Sequence, residues 1–219
     1  MVTLALDTSS TSASAALVND YIVMAEFSVT LADLKGSGRK THSETLMPMV
    51  NQIFEVSGLS LDDVDRIACT CGPGSFTGLR IGAATAKGLA FATGKPLIAV
   101  PTLDAMAYSI ECKYVVPMMD ARRGQVYSAI YQDGTRTSNY MALPIEELLT
   151  MINPKEAIFT GDGAIVHREI IGGRIIEKPL IASDVAAIAR KMPDAKEEEF
   201  SLLYIRKPQA EREREERGC

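Results

Sequence analysis

The densest chemical signal in the sequence is the run from Gly72 to Gly82, Gly-Pro-Gly-Ser-Phe-Thr-Gly-Leu-Arg-Ile-Gly, set between a strand-like and a helix-like segment. A turn of this kind leaves backbone N–H groups free at a helix N-terminus, the general arrangement for holding an anion. Gly72, Gly74 and Ser75 are its candidate contacts. It is not a standard nucleotide motif. A Walker loop would place Gly-Lys-Ser/Thr where this chain has Gly78-Leu79-Arg80, and GxGxxG becomes GxGxxxG here. The same residues also suit a purely structural tight turn. Asp7, followed by Thr8-Ser9-Ser10, is placed to orient a metal-bound water or a phosphate, or simply to cap a turn. Asp120-Ala121-Arg122-Arg123-Gly124 offers paired arginines to an anion or to solvent. In Thr160-Gly161-Asp162-Gly163, the glycines Gly161 and Gly163 can approach a nucleotide or form an ordinary turn.

The elements that must position these residues follow from periodicity. Val2, Leu4 and Leu6 alternate with Thr3, Ala5 and Asp7, the period of a strand. Ala13–Val18 and Tyr21–Phe27 read as two further strands joined across Asn19-Asp20, completing a meander. Residues 28–41 have loop composition, and a helix is expected from Thr41 or His42 to about Ser57. A strand at 66–71, a helix at 75–93 and a strand at 97–100 come next. That alternation indicates an α/β layered domain with partly parallel pairing. After Pro101 a helix at 102–112, strands at 114–119, 125–131 and 135–141, and a helix at 144–152 are expected. A strand ending at Thr160, a helix, a strand at 174–178 and a helix at 183–192 complete a second α/β half. The boundaries drawn are therefore 1–101, 102–208 and a charged tail at 209–219.

Two helices carry more apolar or small surface than one core contact requires. Leu46, Met49, Val50 and Ile53 form a stripe on the first, and Met47 and Phe54 extend it. On the second, Gly78, Gly82, Ala86 and Ala90 recur every four residues, with Ala83 beside them, so another backbone can approach closely. Each face is read either as core of the same chain or as a partner interface.

Composition bounds the rest. A chain of 219 residues with 47% hydrophobic and 23% charged residues has globular composition. Its apolar runs are far shorter than the roughly 20 residues of a membrane span, so a cytoplasmic location is expected. Net charge −5 lacks the basic excess of an autonomous nucleic-acid binder. The four cysteines form no CxxC pair, and neither His42 nor His167 has a second histidine at metal-ligand spacing. No Ser/His/Asp or Cys/His nucleophilic arrangement is evident, so no catalytic residue and no metal ligand is nominated.

Taken in order, LALDTSS at 4–10, the His42 helix running into Leu46-Met47-Pro48, CGPGSFTGLRIG at 71–82, MDARRGQVY at 119–127 and LLYIRKPQA at 202–210 resemble the TsaB, or YeaZ, family. That resemblance implies an actin-like, sugar-kinase-like (ASKHA) fold of two lobes, each on a βββαβα core, the second shortened. It implies a non-catalytic accessory subunit in making threonylcarbamoyladenosine on tRNA, paired through the two N-lobe helices with the catalytic paralogue TsaD and homodimeric when alone. A TsaE-like ATPase would be a separate partner, and tRNA would be reached through the complex. The histidine pair that holds metal in TsaD has no counterpart, since His42 is followed by Leu46 and His167 by Ile171. No cofactor is then required, with weak ATP or ADP binding the open point. The competing expectation is an ATPase or phosphotransferase using Asp7 and the two glycine turns.

Overall fold

A computed structural model describes residues 1–31 and 41–206; most of the loop expected at 28–41 and the charged tail lie outside the described residues. In chain order the first elements are β1 (Val2–Asp7), β2 (Ser12–Asn19), β3 (Ile22–Thr30), α1 (His42–Ser57), β4 (Arg66–Gly72), α2 (Phe76–Thr93), β5 (Leu97–Pro101) and α3 (Thr102–Ala107). They are followed by β6 (Tyr114–Asp120), β7 (Gln125–Ser128), β8 (Tyr131–Gln132), β9 (Thr135–Arg136), β10 (Met141–Pro144) and α4 (Ile145–Thr150). The last are β11 (Ala157–Thr160), α5 (Asp162–Val166), α6 (Arg168–Ile171), β12 (Arg174–Ile176) and α7 (Ala182–Ala189).

The first compact unit comprises Met1–Tyr108 and Pro179–Leu202. Its sheet runs β3-β2-β1-β4-β5, antiparallel through the meander and parallel from β1 to β4 to β5. Every residue of β1 from Thr3 to Asp7 is buried, so both faces of the sheet are covered. Local chemistry sets the helices. Thr41 and Glu44 form a reciprocal capping box at the start of α1, and Gly58 closes it in the left-handed region at φ 69°. Ser75 caps α2 and Gly94, at φ 66°, ends it.

The second unit holds Ser109–Lys178 together with Leu203–Arg206 of the described residues. Its sheet order, β10-β7-β6-β11-β12, repeats the first: two antiparallel pairings, then two parallel ones. Val116, Met118, Phe159 and Leu148 lie in its core. Helices α4, α5 and α6 have six, five and four residues, against 16 and 18 for α1 and α2.

Three expectations change. A single cut at Pro101 does not divide the chain, because α3 and the segment around α7 belong to the first unit. The Glu26 carboxylate accepts hydrogen bonds from the Ser183 N–H at 2.8 Å and hydroxyl at 2.9 Å, tying the start of α7 to β3. The Leu97 N–H donates to the Ala195 carbonyl at 2.9 Å, and buried Arg66 pairs with Asp194 at 3.5 Å. The helix expected at 102–112 stops at Ala107, where Tyr108 turns extended and Ser109 takes φ 60°. The strands expected at 125–131 and 135–141 each divide, into β7 with β8 and into β9 with β10; Thr137 and Ser138 bond back to Ile130 between these pieces.

Candidate functional site

Asp7 ends the central strand β1 and is wholly buried. Its Oδ1 accepts hydrogen bonds from the Ser9 N–H at 3.0 Å and the Thr70 hydroxyl at 2.8 Å. Among the described residues its Oδ2 and the Ser9 hydroxyl have no hydrogen-bond partner. Burial pushes the Asp7 carboxyl above the usual carboxylate range, opposed by the hydrogen bonds from Ser9 and Thr70 and weakly by His42. The His42 ring, at the start of α1, sits 3.0 Å from the Ser10 carbonyl oxygen through Nε2 and so donates to it. Burial also raises the thiol of Cys69, with Asp7 adding to the shift.

The glycine turn is pressed against this loop. The Ser75 N–H donates to the Ser9 carbonyl at 2.7 Å, and the Thr8 hydroxyl donates to the Gly78 carbonyl at 2.8 Å. A Cβ on Gly78 would overlap the Thr8 carbonyl oxygen, and one on Gly82 would overlap the Thr8 hydroxyl. Of the N–H groups an anion would use, Ser75's is thus taken by Ser9 and Gly78's by the Ser75 hydroxyl at 3.3 Å. Gly72 is buried and Gly74 approaches the Ser9 backbone in the same way.

The sequence leaves two readings open for the faces of α1 and α2, core or partner interface, and the residues named on them pack within this chain. Leu46, Met49, Val50 and Ile53 on α1 and Gly78, Gly82, Ala83, Ala86 and Ala90 on α2 are all buried within this one chain. At Gly78 and Gly82 it is the Thr8 loop that comes close. A neighbouring side of the same helices faces outward instead. Ala84 and Gly88 are exposed, a Cβ on Gly88 would meet nothing, and Phe91 is 79% exposed. Met47 and Phe76 are about two-fifths exposed, with the Arg80 guanidinium 3.8 Å above the Phe76 ring. Periodicity leaves this side unmarked because Ala84 and Gly88 are as small as the inward Gly78, Gly82, Ala86 and Ala90.

In the second unit the turn between β6 and β7 and the start of α5 repeat the pattern on a smaller scale. Gly161, at φ 93°, leads into α5, and a Cβ on Gly163 would stand 2.9 Å from the Met119 carbonyl carbon. The Asp162 Oδ1 accepts the N–H groups of Asp120 at 3.3 Å and Gly163 at 2.9 Å. Burial, and secondarily the nearby Asp120 carboxylate, raise the Asp162 carboxyl. Arg122 and Arg123 take φ 65° and 56°, a left-handed conformation costing a non-glycine residue roughly 1 kcal/mol or more each. Among the described residues no group of three or more His, Cys, Asp or Glu side chains is arranged to hold a metal, and no helix is long and apolar enough to cross a membrane.

Two measurable consequences follow from the packing around Asp7. Gly78→Ala should cost about 3 kcal/mol in urea unfolding, because backbone must shift, whereas Gly88→Ala should be neutral or stabilise by up to about 1 kcal/mol. The second concerns pH. A carboxyl whose folded-state pKa lies above its unfolded value contributes most stability at low pH and loses it as pH rises through the folded pKa. Asp7→Asn keeps the acceptor for Ser9 and Thr70, so it should be more stable than the native chain at neutral pH, with the gap closing towards about pH 4. Parallel stability–pH profiles for the two proteins would contradict this.

Comparison with known proteins agrees with the geometry. A family model described as TsaD, tRNA N6-adenosine threonylcarbamoyltransferase, matches residues 37–200. The tRNA threonylcarbamoyladenosine biosynthesis protein TsaB of Haemophilus influenzae is 32% identical over 84% of this chain and 79% of its own length. TsaB of Escherichia coli is 41% identical over 59% of this chain, the match spanning 54% of that protein. The solved structure of YeaZ from Pseudomonas aeruginosa superposes with a TM-score of 0.77 at 27% identity, over 93% of this chain and all of that one. The ethanolamine utilization protein EutJ of Carboxydothermus hydrogenoformans shares the fold alone, with a TM-score of 0.55 at 12% identity over 86% of this chain and 90% of its own. The repeated strand order and these likenesses make the architecture an actin-like (ASKHA) one, and the chain belongs to the TsaB (YeaZ) family of tRNA threonylcarbamoyladenosine biosynthesis proteins.

Proposed function

We propose that this chain is a non-catalytic subunit of the assembly that transfers threonylcarbamoyl onto the adenosine beside the tRNA anticodon, and that it acts by binding a TsaD-like catalytic paralogue. The observation that supports this is the outward side of α1 and α2, where exposed Ala84 and Gly88 leave the backbone of α2 bare between Phe76 and Phe91. A partner helix can pack there at short range, and burial of the two aromatic rings supplies much of the driving force. Without the paralogue, a second copy of the chain takes the same surface and forms a homodimer. A TsaE-like ATPase joins as a separate protein, and tRNA is engaged through the complex in the cytoplasm, in keeping with the net charge of −5. The chain needs no cofactor of its own. A nucleotide-binding reading has one observation in its favour, the unpartnered Asp7 Oδ2 and Ser9 hydroxyl, and tight ATP or ADP binding by the isolated chain would support it.

Ala84→Arg and Gly88→Arg put charge and bulk on that surface without touching the core. Each should weaken both self-association and the complex with the TsaD-like partner by roughly 100-fold, about 3 kcal/mol, while thermal unfolding stays close to native. Sedimentation velocity over a micromolar range measures both equilibria. Native association constants in both variants would move the interface elsewhere.

A further inference from the structure

We propose that the Asp120–Gly124 turn is a phosphate-contacting finger, through which Arg122 and Arg123 touch the tRNA backbone; this rests on membership of a tRNA-modifying assembly. Two consecutive arginines hold left-handed backbone, with Gly124 continuing it at φ 71°. The surrounding structure fixes that conformation instead of relaxing it. The Ala121 N–H donates to the Gln125 carbonyl at 2.9 Å, the Gln125 N–H to the Arg122 carbonyl at 3.2 Å, and the Ile145 N–H to the Gly124 carbonyl at 3.2 Å. Strain maintained in this way at non-glycine residues marks a segment shaped for something other than stability.

What the strained turn displays is charge. Arg122, Arg123 and Gly124 are exposed, and the Arg122 side chain is 88% exposed. The Asp120 carboxylate is engaged chiefly with the backbone, its Oδ1 accepting the Arg122 N–H at 2.9 Å, while the guanidinium Nε lies 3.8 Å from Oδ2. Among the described residues Arg123 has neither an ion pair nor a hydrogen bond through its side chain. Guanidinium groups fit phosphate oxygens in a fork geometry, which suits two adjacent arginines carried on a fixed backbone. No apolar side chain is exposed at residues 120–124, which lacks the greasy centre of a protein docking site and favours a polyanionic backbone. Two phosphate contacts are too few for binding by a chain of net charge −5 on its own, so the finger adds to affinity within an assembly.

The test is tRNA binding by the chain assembled with its TsaD-like partner, followed by fluorescence anisotropy of labelled unmodified tRNA as salt is raised. Arg122→Ala with Arg123→Ala should weaken binding about tenfold at low salt and make the log–log salt dependence shallower by roughly 1.5, with assembly unchanged. Arg122→Lys with Arg123→Lys should recover part of the loss. Arg122→Gly with Arg123→Gly relieves the backbone, so it should melt at the same or a higher temperature and still bind tRNA as weakly as the alanine pair. Native affinity and slope in the alanine variant overturn the finger while leaving the subunit role intact, as does a loss of assembly without tRNA. If no complex forms with the partner, the subunit role is overturned and the finger that rests on it falls too, an outcome distinct from native tRNA affinity in an intact complex.

Discussion

The contact on which the first unit depends is the one between the start of α2 and the backbone of Thr8 and Ser9. Gly78 and Gly82 leave no room for a side chain there, and Thr8 and Ser9 bond directly to the turn at 2.8 and 2.7 Å. That close contact fixes how α2 lies against the Thr8 loop at the end of β1 and which side of α2 is left outside. Because the inward side is spent on the Thr8 loop, the side with Ala84 and Gly88 faces solvent. The glycine-rich turn is thus largely hydrogen-bonded by its own chain, and the opposite side of α2 is left exposed.

The repeat of the strand order in both units gives each a central strand that ends in an aspartate, Asp7 on β1 and Asp120 on β6. The two aspartates have different surroundings. Asp7 is sealed beneath hydrogen bonds from Ser9 and Thr70, whereas Asp120 stands at the base of an exposed turn and organises the backbone of Arg122. A buried carboxyl with a raised pKa stiffens or destabilises a core according to pH, while a partly exposed one beside arginines shapes a surface. One topology thus yields a sealed carboxylate in the first unit and an exposed, arginine-bearing turn in the second.

Much of this was legible in the sequence. Alternation in 2–7 and the glycine-rich junction at 72–82 located β1, β4 and α2 to within a residue or two, because period and turn chemistry are local. The return of residues 179–202 to the first unit was not legible, since it rests on pairs such as Glu26 with Ser183 and Arg66 with Asp194, distant in sequence. Nor could the outward side of α2 be chosen by pattern. The stripe at Gly78, Gly82, Ala86 and Ala90 and the outward Ala84 and Gly88 are alike in residue type, and only the position of Thr8 separates them. The double left-handed backbone at Arg122 and Arg123 contradicts their local preference and is imposed by the surrounding hydrogen bonds.

If this chain contributes through assembly and not through chemistry of its own, modification of tRNA must follow the amount of complex. The most direct measurement is threonylcarbamoyl transfer to tRNA by the full set of proteins, with the amount of complex quantified in the same samples across variants of graded interface strength. Activity should fall in proportion to complex lost, and the chain alone, given a threonylcarbamoyl donor, should modify no tRNA. Transfer by the isolated chain, or activity that persists when complex is gone, would contradict a role through assembly.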